Sequence, residues 1–166
     1  MVSPHLSGKA KPEGKDTRLH KPGVPYVLFN PSQTLSRDSL LKESCCNELS
    51  NTIIDLVNTE GPIHHDFLVK RLKEIHCVAK AGSNVQSNIK QALGSAENKH
   101  AIIHNAKPSF YCSPDGQIKS FRLPTETVRR PIEYIAPSEL SLAVLYFVED
   151  QFGVVVVVEH PGACQH

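Results

Sequence analysis

The sequence contains no tryptophan, and aromatic residues make up only 6% of its 166 positions. Any core it builds must therefore be mostly aliphatic. No apolar run approaches the roughly 20 residues that a bilayer crossing requires, so no membrane partner is expected. The N-terminal stretch MVSPHLSGKAKPEGKDTRLHKPG lacks the apolar segment of a secretory signal. The expectation is a cytoplasmic protein.

A disulfide framework is also missing. The five cysteines, at positions 45, 46, 77, 112 and 164, are odd in number and irregular in spacing. Adjacent Cys45 and Cys46 cannot make half of a C-x₂-C zinc site, and no second pair follows. They read as ordinary reduced thiols, and no metal is expected. Nucleotide and hydrolase motifs are absent too. The text nearest to a phosphate-binding loop, Gly8 to Lys15, has one spacer too many and Asp16 where a hydroxyl should hold Mg²⁺. There is no H-E-x-x-H and no G-x-S-x-G. His64 and His65 sit side by side at a helix start, so their rings diverge by about 100° and cannot share one ion. The sequence therefore points away from an enzyme and implies no cofactor.

What is present is an uneven charge. Residues 62–130 carry 11 basic and 5 acidic side chains, residues 48–61 only three acids, and residues 131–166 five acids with no Lys or Arg. A basic middle between acidic flanks suggests an anionic partner.

Residues 1–24 are rich in Pro, Gly, Lys and Ser and are expected to be a disordered basic arm. Residues 25–47 read as an extended segment or linker, with Tyr26 to Phe29 a short apolar run that is a lone strand or an extended segment docking on the core, and Asp38 to Cys46 either a short helix or a loop. From Asn47, a plausible cap, the apolar period becomes helical. Leu49, Ile53, Leu56 and Val57 fall on one face and Gly61-Pro62 is a stop signal. A second helix from His64 or His65 presents Phe67, Leu68, Leu72 and Ile75, with Lys70, Arg71 and Lys73 pointing outward. After the break at Ala81-Gly82, Ser83 caps a third helix whose stripe is Val85, Ile89, Ala92, Leu93 and Ala96. Helices this short are unstable alone, so the three stripes must bury one another.

The period then switches. Ala101 to His104 and Ser109 to Cys112 read as strands around an Asn105 to Pro108 turn, and Gln117 to Leu123 as a second hairpin or an irregular stretch. A last helix runs from Ser138, its cap, to about Phe152. Five successive valines follow, in a tail over 153–166 that reads either as a buried strand or as an exposed one. Three helices and a hairpin over Leu49 to Tyr111 predict an α+β, mainly helical, winged helix-turn-helix domain at 48–130. A C-terminal helix follows at 131–152.

Two stretches carry a family resemblance. IIDLVNTEGPIHHDFLVKRLKEIHCVAKAGSNVQSNIKQAL and FYCSPDGQIKSFRLPTETVRRPIEYIAPSELSLAV resemble a C-terminal domain of unknown function. That domain is attached to large superfamily I DNA/RNA helicase-like proteins, often near a nuclease-like domain. The resemblance spans about Tyr26 to Phe152 and is most specific in EGPIH and RPIEYIAPSEL. It implies a non-catalytic, winged-helix-like accessory module associated with nucleic acid. The family usually continues with a second helical unit, so the resemblance also implies a truncation after Phe152.

With its apolar stripe buried, the third helix would present Asn84, Ser87, Lys90, Gln91 and Asn98. Asn and Gln can read adenine edges in a major groove, and Lys can meet phosphate or guanine. The hairpin offers His104 and Lys107 at its tip, with Arg129 and Arg130 beyond, for phosphate contacts. The expected partner is nucleic acid, DNA rather than RNA. The alternative is a protein-interaction module that docks the helicase or nuclease core of a parent protein, and an ordinary solvated face fits the same residues.

Overall fold

The computed structural model describes residues 22–153. Helices occupy about half of them and the strands form two small sheets, so the class is α+β. The order is β1 (Val24–Pro25), α1 (Arg37–Leu41), α2 (Cys46–Glu60), β2 (Ile63–His64), α3 (His65–Ile75), α4 (Ser83–Asn98), β3 (Ile103–Ala106), β4 (Ser109–Cys112), β5 (Arg122–Leu123) and α5 (Pro137–Phe152). Single 3₁₀ turns occupy Glu43–Cys45 and Ile132–Tyr134. No helix among the described residues is long and apolar enough to cross a membrane.

The apolar stripes decide the packing. Leu49, Ile53, Leu56 and Val57 of α2 are buried together with Phe67, Leu68 and Leu72 of α3 and with Val85, Ile89, Ala92, Leu93 and Ala96 of α4. A fully buried Leu contributes about 1.5–3 kcal/mol relative to its exposed state, so this cluster supplies the main driving force for folding. β2, β4 and β3 form one antiparallel sheet in that spatial order, with Ile63 and His104 both opposite Tyr111. The central strand β4 buries Phe110 and Tyr111, whereas all four residues of edge strand β3 are exposed. β1 and β5 pair in parallel, Val24 opposite Arg122.

The structure decides the alternatives left open by the sequence and corrects several expectations. Within 25–47 the chain docks on the core rather than acting as a linker: Tyr26 and Leu40 are buried, and the short helix is α1, which packs on α4. There Asn88 of α4 donates to the Leu40 carbonyl at 3.2 Å, which explains a polar residue on the buried side of α4. Of the two readings of 117–123, the irregular stretch holds over 117–121, and β5 pairs with β1 rather than in a second hairpin. The 103–112 hairpin starts two residues later than its pattern suggested because Ile102 turns inward and is 2% exposed. The caps also move. α2 starts at Cys46 after the 3₁₀ turn, α4 is preceded by Gly82 with Ser83 already helical, and α5 starts at Pro137 behind Ala136. Proline suits that first position because its missing N–H would lack a helical partner anyway. Of the basic arm expected over 1–24, residues 1–21 lie outside the described residues, as does the valine run after Gly153, whereas Val24 is no part of a disordered arm: it belongs to β1, its N–H donating to the Phe121 carbonyl at 2.9 Å.

Two buried glutamates join the peripheral pieces to the helical core. Glu60, at the end of α2, accepts from Arg71 Nε at 3.0 Å, from the Tyr26 hydroxyl at 3.0 Å and from the Phe29 N–H at 2.9 Å. Arg71 also donates to the Phe29 carbonyl at 3.0 Å, so its expected outward orientation is overturned. Glu139, in the first turn of α5, accepts from Arg130 Nη2 at 2.6 Å, Arg122 Nη2 at 2.7 Å and the Arg122 N–H at 2.8 Å. Both guanidinium groups lie over the Tyr26 ring, at 4.9 Å for Arg122 and 4.5 Å for Arg130. Arg122 reaches further, donating to the carbonyls of Glu60, Gly61 and Pro62. These contacts tie β1, β5 and α5 to the end of α2.

Candidate functional site

α3 and α4 are joined by seven residues that begin with a tight reversal, in which Cys77 adopts φ 54°. The second helix of this pair, α4, has one buried side and one solvent side. Asn84, Ser87, Lys90 and Gln91 are all exposed, as is Asn98. Their wheel positions follow from the inward pull of Val85, Ile89, Ala92, Leu93 and Ala96, which leaves the opposite arc to polar side chains.

Between α3, α4 and the β3–β4 hairpin lies a groove of about 870 Å³. Its floor is Val69, Ile89, Leu93, Ala81 and Tyr111, and Lys70, Lys73 and Lys90 stand among the residues that line it. At the sheet end are His65, Asp66, Glu97 and His104. His104 does not occupy the hairpin tip. Its ring stacks on Tyr111 at 4.5 Å with an interplanar angle of 13°, its Nε2 lies 3.1 Å from the Ser109 hydroxyl, and its Nδ1 is 3.9 Å from Glu97. The tip is the Lys107–Pro108 turn, where Lys107 is exposed as expected.

Burial shifts two groups at the sheet end. Burial lowers the His65 pKa, an effect that the Asp66 charge only partly offsets. Burial, helped by the Glu97 charge, pushes the Tyr111 hydroxyl up to about 12. The other histidine, His64, acts structurally. Its Nδ1 accepts from the Asp66 N–H at 3.2 Å as the α3 cap, and its ring stacks on Tyr134 at 4.8 Å.

The arginine pair beyond the hairpin separates. Arg129 is exposed and lines a second concavity of about 660 Å³ with Tyr26, Thr125 and Glu126. Arg130, by contrast, is held by Glu139 with its side chain only 5% exposed, so it is not available to a phosphate. Sequence reasoning also passed over Lys70 and Lys73 as site residues. Their i, i+3 spacing on one side of α3 was the available signal, but only the placement of α4 shows that they face the same groove as Lys90.

A family model described as "Protein of unknown function (DUF3320)" matches residues 38–87, from α1 into the first turn of α4. That is less than half of the chain. No curated protein and no solved structure matches it.

Proposed function

We propose that the chain is a winged-helix module that binds nucleic acid, without catalysis, as an accessory to a helicase-like protein. The observation that carries this reading is the order α2, β2, α3, α4, β3, β4 with β4 central in the sheet. It is a helix-turn-helix whose second helix keeps a polar face in solvent beside an exposed hairpin. Such a helix enters a B-form major groove, and the hairpin meets the backbone. The narrow major groove of A-form RNA does not admit it, which favours DNA. On this reading Asn84 and Gln91 face base edges, Ser87 and Lys90 meet backbone or guanine, and Lys107 and Arg129 meet phosphates. His104, stacked on Tyr111 and bonded to Ser109, braces the hairpin. The helicase association is supported by the EGPIH and RPIEYIAPSEL motifs, the first of which lies inside the matched stretch.

The test is fluorescence anisotropy of the full chain against labelled duplex and single-stranded DNA across salt. With three cationic phosphate contacts, from Lys90, Lys107 and Arg129, affinity should fall about fortyfold between ~50 and ~200 mM salt. A missing or salt-insensitive signal overturns the proposal. A second reading, docking to a helicase or nuclease core, is favoured by α5, where Val144, Phe147 and Phe152 are exposed. Retention of the parent protein's other domains, with no nucleic acid bound, would select it.

A further inference from the structure

The groove between α3 and α4 is a different surface from the outer arc of α4 that carries Asn84, Ser87 and Gln91. Its floor is apolar, formed by Val69, Ala81, Ile89 and Leu93, and the alkyl stems of its lysines extend that character toward the rim. Along α4 it runs from Gln86 to Glu97, which at 1.5 Å per residue is about 16 Å, or three helical turns. Its charge is graded. Asp66 and Glu97 stand at the sheet end, whereas Lys70, Lys73 and Lys90 stand toward the α3–α4 turn.

One residue on the α4 wall stands out. Gly94 lies inside the helix, where glycine costs about 1 kcal/mol relative to alanine. A Cβ built on it meets nothing within 4 Å, so no internal contact of the described residues requires its absence. The missing side chain lowers the α4 wall between Lys90 and Glu97 and lets another backbone approach closely.

We propose that this groove docks an acidic amphipathic helix of a protein partner. Charge complementarity selects that occupant. The apolar ridge of such a helix, with anchors at i, i+3 or i+4, and i+7, lies on Val69, Ile89 and Leu93. Its carboxylates meet Lys70, Lys73 and Lys90, and its positive N-terminal end meets Asp66 and Glu97. A nucleic-acid strand matches the lysines but would bring phosphates against those two carboxylates and leave the apolar floor unused.

The test uses the full chain, ¹⁵N-labelled, and a synthetic helical peptide of about three turns with leucines on one face and glutamates flanking them. The control peptide has lysine at every glutamate. The acidic peptide should bind at least about tenfold tighter than the basic one, with amide shifts concentrated at Val69, Lys70, Lys73, Ala81, Gln86, Lys90 and Gly94. Lys70→Glu combined with Lys90→Glu should reverse the preference. Gly94→Leu should weaken the acidic peptide about tenfold while leaving the thermal midpoint within a few degrees of the wild type. Equal binding of the two peptides, or shifts that map outside the groove, would each overturn the proposal.

Discussion

Arginine and lysine do different work in the two halves of this molecule. At the seam where β1, β5 and α5 meet α2, Arg71, Arg122 and Arg130 each face a buried carboxylate. Around α3, α4 and the hairpin, by contrast, the lysines Lys70, Lys73, Lys90 and Lys107 stand in no buried ion pair among the described residues, and Lys70 meets only the exposed Glu74. The planar guanidinium satisfies several acceptors at once and tolerates desolvation, whereas an ammonium group holds its water. Charge counted along the chain therefore misleads. The basic stretch over 62–130 and its acidic flanks are in part the two sides of the same ion pairs, since Glu60 and Glu139 lie just outside it. The positive surface left for a partner consists mainly of lysine.

The largest expected effect breaks the seam. Glu139→Gln leaves two guanidinium groups without their counter-charge and should cost about 3–5 kcal/mol, read as a lower urea midpoint at unchanged slope. A loss below about 1 kcal/mol would show that the seam is not a structural tie. The same residue sets an acid limit. Burial alone would raise the Glu139 pKa, but hydrogen bonds and charge from Arg130 and Arg122 prevail and hold it at about 2. Its folded pKa is thus below its unfolded one, so its stabilisation is present above about pH 4.5 and is lost as pH falls toward 2. The wild-type midpoint should fall through that window, and the fall should be shallower in Glu139→Gln.

Neighbouring arginines sharpen the contrast. Arg130→Ala should cost about 2–3 kcal/mol through the charge left on Glu139. Arg129→Ala should stay within about 0.5 kcal/mol of the wild type in stability and lower DNA affinity a few-fold. Equal effects on stability would erase the distinction between seam and surface. On the lysine side, Lys90→Glu should weaken DNA binding about tenfold, or about 1.4 kcal/mol, in anisotropy while the melting curve stays in place. The smallest effect is a gain. Gly94→Ala should add about 0.5–1 kcal/mol by raising helix propensity in open space, and a loss in its place would reveal a contact that the groove geometry lacks.

The helical stripes were legible because a 3.6-residue period records which side faces the core. Leu49, Ile53, Leu56 and Val57 needed no partner to be recognised, and neither did the switch to strands after α4. Arg71 and Arg130 were not legible. A charged residue reads as exposed until a distant carboxylate accounts for it, and Glu60 and Glu139 lie 11 and 9 positions away from them. Leu40 was missed for a related reason, since two adjacent leucines in a five-residue helix make no periodic pattern. At the candidate site, the polar arc of α4 followed from its buried arc. The groove did not, because it exists only between two helices.

By itself, then, the sequence determined the order and type of the central elements and the solvent face of α4, since these depend on local period and on Gly and Pro breaks. The tertiary structure alone decided which cations are free. It placed Arg122 and Arg130 on Glu139 and gathered Lys70, Lys73 and Lys90 around one groove. Ion pairing and concavity depend on distances between residues far apart in the chain, and no local pattern encodes those distances.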